Sequence, residues 1–314
     1  MQPASLPEWT GSLSERLGIP VDSLQLLAGG ASKEAWAVES AGSRLVVRRA
    51  AGGVIHEATL SLEHEFAVLE AAFAAGVKVP RPVAYLGLLG GREAFAMERV
   101  GGETIGRRIV KAPPPGLEAS LAAELAKIHA IDAAQLPFLA VGDVLARFAA
   151  ELESVGEPHP AIEYGLRWLE EHRPGPLAPV VSHGDFRIGN AAVSAEGLVA
   201  LLDWEFAHLA DPREDLAWPL VRAWRFGADE RHVGGIGEVG PYLERYNEAA
   251  GRDVSESELY WWEVLGNAKW AIGALTQSRR HLNGLERSVE LAVLGRLSAE
   301  MEYELLDLIE KSPL

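Results

Sequence analysis

The chain has 314 residues, enough for two domains at ~100–200 residues each, and its 48% hydrophobic and 24% charged residues are those of a globular protein. Its 45 acidic against 29 basic residues give a formal net charge of −16, which argues against a nucleic-acid or anionic-membrane partner, since phosphate-bearing surfaces need a basic footprint. It has no cysteine, which excludes disulfide scaffolds, thiolate catalysis and cysteine zinc sites, and no His, Asp or Glu spacing matches a metal motif such as H-E-x-x-H. No apolar run reaches the ~18 residues of a membrane span and the N-terminus lacks a secretory pattern, so a cytoplasmic location is expected.

In chain order, LQLLAGGASKEAWAVES carries an apolar run, a Gly29-Gly30 turn and the alternating AWAV. That pattern predicts two strands joined by a glycine-containing loop, and SRLVVRRA predicts a third. In SLEHEFAVLEAAFAAG, Leu62, Phe66, Leu69 and Phe73 recur at helical steps and Gly76 stops the helix. Pro80 and Pro82 interrupt the chain before another strand, REAFAMERV. After Gly101-Gly102 the character changes to long amphipathic helices separated by loops such as KAPPPG and HRPGPLAP. Ser255 and Glu258 fit a capping box at the start of one of them. The expected fold is α+β and two-lobed: a small β-rich lobe over residues 1–100, a Gly-Gly hinge, and a larger helical lobe over 101–314.

The chemistry is concentrated in HGDFRIGN, which follows the apolar PVVS. Moving a phosphoryl group to a hydroxyl requires a carboxylate to orient the nucleophile and accept its proton. It also requires oxygen ligands for Mg²⁺ and a cation to steady the phosphates. His183, Asp185 and Asn190 have the H-x-D-x-x-x-x-N spacing of a kinase catalytic loop, with the Asp as base and the Asn on metal. An Asn carbonyl oxygen suits Mg²⁺, which prefers oxygen throughout. AAVSAEG then reads as a hairpin, and the apolar run Leu198–Leu202 ends at Asp203. The hairpin would return Asp203 beside Asn190. An isolated Asp in a loop is more often a turn former or a helix cap; the joint pattern is far more demanding.

Taken together, HGDFRIGN, LLDWEFAHLADPREDLAW, LAGGASKEAW and MERVGGE resemble the aminoglycoside phosphotransferase and choline kinase superfamily, small-molecule kinases with a protein-kinase-like fold. The resemblance implies ATP and Mg²⁺ as cofactors and a small-molecule hydroxyl as acceptor. It implies Asp185 as catalytic base and Asn190 and Asp203 as metal ligands. The segment from Gly29 through Gly30 and Ser32 to Lys33 would cover the ATP phosphates, and Met97, Glu98 and Val100 would belong to the strand that meets adenine. Gly29 and Gly30 would equally form a plain hairpin turn. There is no Walker-type phosphate loop.

One departure concerns the phosphate-anchoring lysine, which in the family sits on the third strand and pairs with a helix glutamate. RLVVRRA has none: Arg48 aligns there, with Glu65 as its expected partner, while Arg49 is expected to project to solvent from an edge strand. Arginine keeps the charge, but its fork is not equivalent to an ammonium. The double arginine resembles kinase domains related to those fused to acyl-CoA dehydrogenases, a branch implicated in phosphorylating hydroxyacyl-CoA. Other residues have local readings. Asp211, Pro212 and Glu214 suit a helix start, Asp215 resembles a brace for the catalytic loop, His183 a support for it, and His129 a core histidine.

The acceptor is less legible. Trp261, Trp262 and Trp270 on one helix suit either core or an acceptor pocket. Arg279, Arg280 and His281 suit either the helix dipole or an anionic group such as a CoA phosphate. Glu256, Glu258 and Glu263 would serve a polycationic aminoglycoside or simply face water. An active kinase is the favoured reading; a nucleotide-binding pseudokinase, suggested by the missing lysine, is the alternative.

Overall fold

The computed structural model describes residues 7–29, 33–40, 42–51 and 59–313. A short helix, α1 (Thr10–Leu17), precedes β1 (Ser23–Gly29), β2 (Lys33–Ser40) and β3 (Ser43–Ala50); α2 (Leu62–Ala74) then leads to β4 (Pro82–Leu89) and β5 (Arg92–Glu98). The strands form one antiparallel sheet in the order β1-β2-β3-β5-β4. Side chains alternate across it. Val38, Leu45, Val47, Leu86, Ala94 and Ala96 pack with Leu13 of α1 on one face. On the other, Phe95 meets Phe66 of α2 with ring centroids 5.5 Å apart.

This alternation separates the two arginines. Arg48 points to the α2 face. Arg49 points to the α1 face, where it is buried, donates to the carbonyls of Leu89 and Gly90, and lies over the Trp9 ring at 5.3 Å. The expectation of a solvent-facing Arg49 is therefore wrong, because β3 is central, flanked by β2 and β5. α2 buries Leu62, Glu65, Phe66, Val68, Leu69 and Ala72. Phe73, expected on that stripe, is 44% exposed in the last turn.

The rest of the chain is mostly helical: α3 (Gly106–Ile109), α4 (Leu117–His129), α5 (Val144–Val155), α6 (Pro160–Glu171), α7 (Pro212–Ala217), α8 (Val239–Ala250), α9 (Glu256–Leu282) and α10 (Val289–Glu310). Two small antiparallel pairs sit among them, β6 (Val180–Ser182) with β9 (His208–Ala210), and β7 (Ala191–Ser194) with β8 (Gly197–Leu201). Leu125 and Ile128 of α4, Trp204, Tyr242 and Tyr246 of α8, and Trp261 and Leu265 of α9 belong to one continuous core. The capping box of α9 is present, Ser255 N–H donating to Glu258 at 2.8 Å. Asp211 caps α7 through Arg213 N–H at 3.0 Å. Glu214 does not close a box there; it turns inward to His208 and Lys269.

Backbone contacts anchor the link between sheet and helices. Gly102 has φ +112°, and a Cβ there would lie 2.9 Å from the Val193 carbonyl oxygen. Glu103 and Val193 exchange backbone hydrogen bonds of 2.8 and 2.9 Å at the same point. Among the described residues no helix is long and apolar enough to cross a membrane.

Candidate active site

The loop from His183 to Asn190 connects β6 to β7. Its first turn is pinned from α7: the buried Asp215 carboxylate accepts from the backbone N–H of His183 at 2.6 Å and of Gly184 at 3.0 Å. Burial alone would raise the Asp215 carboxyl. The contact with the His129 ring at 3.5 Å and the nearby His183 outweigh it and hold the carboxyl well below the usual carboxylate range. His183 Nδ1 accepts the Asp185 N–H at 3.3 Å, which leaves Nε2 to donate to the Leu202 carbonyl at 3.1 Å. His183 therefore ties the loop to the end of β8, in the supporting role expected. His129 is a core histidine, 2.7 Å from the Tyr246 hydroxyl.

Gly184 has φ +78°, and any Cβ would collide with the Phe206 carbonyl. Gly184→Ala should therefore displace the loop and destabilise the fold by about 1–3 kcal/mol from strain and overpacking, read as a fall in Tm.

Asp185 is held on several sides. Its carboxylate accepts from Arg187 Nε at 3.0 and 3.1 Å, Trp218 Nε1 at 2.7 Å and Asn190 Nδ2 at 2.6 Å. The Asn190 amide nitrogen also reaches the Asp185 carbonyl at 2.9 Å, which leaves the Asn190 carboxamide oxygen for another partner. Leu202 N–H donates to the Asn190 carbonyl at 2.8 Å, so the β7–β8 hairpin brings Asp203 to this loop as the spacing implied. Asp203 has φ +65°, uncommon for a residue with a Cβ and characteristic of functional positions.

Arg48 reaches the cleft as expected. Nη2 donates to Asp203 at 2.9 Å and Nε lies 3.2 Å from Glu65. Burial would raise the Asp203 carboxyl, but Arg48 and then Lys33 hold it below its ordinary value. The other oxygen of Glu65 meets Lys33 Nζ at 2.6 Å, and Lys33 also lies 2.8 Å from Glu205.

Two cavities flank these groups. One, of about 510 Å³, lies under the sheet and is lined by Arg48, Glu65, Met97, Glu98, Val100, Asn190 and Asp203. The other, of about 550 Å³, is lined by Asp185 and Arg187 together with Phe206, Trp218, Trp224, Lys269 and Trp270. The Asn190–Asp185 hydrogen bond marks the boundary between them. Gly29 ends β1; Gly30 and Ser32 lie outside the described residues.

Of the candidate acceptor groups, Trp270 lines the second cavity, while Trp261 and Trp262 are core. Arg279 pairs with Glu157, Arg280 with Glu286, and His281 accepts from Ser288 N–H. Arg280 and His281 serve the α9–α10 turn, Arg279 ties α9 to the loop between α5 and α6, and none of the three lines either cavity. Glu258 caps α9, and Glu263 pairs with Arg225 at 2.9 Å. Sequence reasoning missed Arg187, Trp218 and Lys269. Lys269 donates to the Gly184 carbonyl at 3.1 Å and lies over the Trp218 ring at 4.3 Å. Trp218 lies in a turn after α7 and Lys269 in α9, so no spacing in the sequence joins them.

His208 and Glu214 form a half-buried pair at the edge of the second cavity, 3.4 Å apart. Burial would lower His208, but Glu214 raises it above its usual value; burial would raise Glu214, but His208 and then Lys269 bring it down to about 2. A raised histidine stabilises fully below its unfolded value, ~6.5, and loses that as pH climbs through the raised one. The lowered Glu214 stabilises fully above ~4.3 and loses that toward pH 2. The pair should therefore contribute most between about pH 4.3 and 6.5. In thermal melts, the Tm gap between wild type and His208→Gln should be widest near pH 5–6 and narrow as pH rises.

A model of the phosphotransferase enzyme family matches residues 23–260. The chain is 28% identical over 310 residues to acyl-CoA dehydrogenase family member 10 of Mus musculus, covering 87% of this chain but only 28% of that protein. It thus spans little more than a quarter of that relative. Among solved structures it resembles a Ralstonia eutropha protein assigned as an aminoglycoside phosphotransferase, with TM-score 0.79 and 19% identity over 97% of this chain and 99% of that one. It also resembles spectinomycin phosphotransferase in complex with ADP and spectinomycin, with TM-score 0.69 and 14% identity over 99% of each chain. The chain therefore belongs to the phosphotransferase enzyme family, whose small-molecule kinase fold it shares.

Proposed function

We propose that the chain transfers the γ-phosphoryl group of ATP, with Mg²⁺, to a hydroxyl on a small molecule with a largely apolar body. The observation that carries this reading is the 2.6 Å hydrogen bond between Asp185 and Asn190 at the junction of the two cavities. It sets a proton acceptor on one side of the junction and a neutral oxygen ligand on the other.

Asp185 faces the second cavity, where the acceptor hydroxyl would sit. Its donors fix its orientation, so the hydroxyl meets a carboxylate already aimed. Asn190 and Asp203 would hold Mg²⁺. Two protein oxygens are a fitting set, because Mg²⁺ keeps waters and takes phosphate oxygens. Among the described residues no group of three or more His, Cys, Asp and Glu side chains forms a closed metal cluster. Bound there, Mg²⁺ supplies neutralisation of the phosphate charge. The purine would lie against Met97 to Val100. Glu98 and Arg99 N–H already donate to Arg81 and Arg44 carbonyls, so Val100 is the residue left to meet it.

The acceptor class follows from the second cavity. Its wall is aromatic, with Phe148, Phe206, Trp218, Trp224 and Trp270. Besides Asp185, its acids are Glu151 and Glu290, set against Arg147, Arg187 and Lys269. A polycation would find no acidic nest. A hydroxyacyl chain on a thioester, apolar along its length and neutral or anionic at its head, fits better, and the acyl-CoA dehydrogenase relative supports that choice. Trp270→Ala should raise the acceptor KM and leave the nucleotide KM near wild type.

The test is ADP release from Mg·ATP across hydroxyacyl thioesters, aminoglycosides, choline-like amines and sugars. Turnover with a hydroxyacyl thioester is expected. Turnover confined to aminoglycosides would overturn the acceptor assignment. Nucleotide binding without turnover on any acceptor would favour a pseudokinase.

A further inference from the structure

We propose that Lys33, at the start of β2, is the cation that engages the nucleotide phosphates, and that Glu205 holds it in place until a nucleotide arrives. The proposal rests on the reading of the first cavity as a nucleotide site. It moves the phosphate contact from the third strand, where Arg48 stands, to the second.

The sheet geometry permits the move. Arg48 lies opposite Ala35, and Lys33 lies two residues before Ala35 on the same strand, so Lys33 and Arg48 share a face. Glu65 binds both cations, one on each carboxylate oxygen: Arg48 Nε at 3.2 Å and Lys33 Nζ at 2.6 Å. The ammonium–helix glutamate pair is therefore present, built from β2 rather than β3.

Arg48 lines the cavity but is committed to Asp203: Nη2 donates to that carboxylate at 2.9 Å, while Nε lies 3.2 Å from Glu65 without a hydrogen bond. It braces Asp203. Lys33 differs. It is 7% exposed, and a buried ammonium is tolerated only when paired. Its second carboxylate, Glu205 at 2.8 Å, lies two residues beyond Asp203, which lines the cavity. The cluster sets Glu65, Asp203 and Glu205 against Lys33 and Arg48, so it carries excess negative charge. An ammonium has three donors on a flexible stem. Exchanging Glu205 for a phosphate oxygen leaves the Glu65 pair intact.

The opposite signs expected for the two partners make the test. Affinities of the full chain for Mg·ATP, Mg·ADP and adenosine are measured by calorimetry, with Tm recorded for each variant. Lys33→Met keeps the stem and should weaken Mg·ATP about 10–100-fold, the worth of a charge-assisted hydrogen bond, with adenosine unchanged. Glu205→Gln should tighten Mg·ATP, because it loosens the hold on Lys33. A merely structural ion pair would instead lower Tm in both variants without distinguishing ATP from adenosine, which would overturn the proposal. So would a phosphate-selective loss in Arg48→Met with none in Lys33→Met. If wild type bound neither ATP nor adenosine, the nucleotide-site reading itself would fail.

Discussion

Asp185→Ala is expected to lower kcat by ~10²–10⁴-fold, the usual worth of a positioned acid or base, while Mg·ATP affinity stays near wild type. The split follows from geometry. Asp185 lines the second cavity, the one proposed for the acceptor, whereas Arg48, Asn190 and Asp203 line the cavity under the sheet. Removing the carboxylate strips the acceptor hydroxyl of its proton acceptor and leaves Trp218 Nε1 and Arg187 Nε without their shared partner. Asp185→Asn is a sharper variant: its amide would place donors against donors and could not take the proton. Steady-state ADP release and a nucleotide titration on each variant check the pair of effects. Normal turnover with the true acceptor would remove Asp185 from the reaction.

Asp203→Ala is expected to abolish Mg²⁺-dependent turnover. This residue faces the cleft with one carboxylate oxygen on Arg48, and its left-handed backbone, φ +65°, aims it there. The alanine variant keeps the backbone strain, about 1–2 kcal/mol for a residue with a Cβ in that region. Asp203→Gly removes both the carboxylate and the strain. The two variants should be equally inactive, with the glycine variant melting higher. Both also leave Arg48 with Glu65 alone, so a modest loss of nucleotide affinity accompanies the loss of metal dependence. A Mg²⁺ titration of turnover reads the main effect directly, and a wild-type response in either variant would take Asp203 out of the metal site.

Asp185, Asn190 and Asp203 were legible in the sequence because their placement is local. A loop of fixed length and a tight hairpin leave little freedom in where those side chains end up. Asp215 was legible only through the family resemblance; nothing in its local spacing shows that it reaches the backbone of His183 and Gly184. Arg49 was misjudged because strand order is not local. Whether β3 is an edge depends on where β5 docks, which hairpin patterns leave open. Lys33 was read as the end of the backbone segment covering the ATP phosphates and not for its ammonium; its partner Glu65 comes from a helix 32 residues later, and its other partner, Glu205, from beyond the hairpin. The second cavity was least legible of all. It is assembled from α5, the 183–190 loop, the segments around Phe206, Trp218 and Trp224, α9 and α10; Trp270 suited core as well as pocket, and no spacing in the sequence joins the other wall residues.

The metal site is tested most directly by the position of a divalent ion when Mn²⁺ and a non-hydrolysable ATP analogue are bound, located by anomalous scattering from a crystal of the complex. One manganese is expected within about 2.2 Å of the Asn190 carboxamide oxygen and an Asp203 carboxylate oxygen, with the terminal phosphate directed toward Asp185. Manganese held elsewhere, or the nucleotide lodged outside the cavity beneath the sheet, would refute the proposed metal and nucleotide sites.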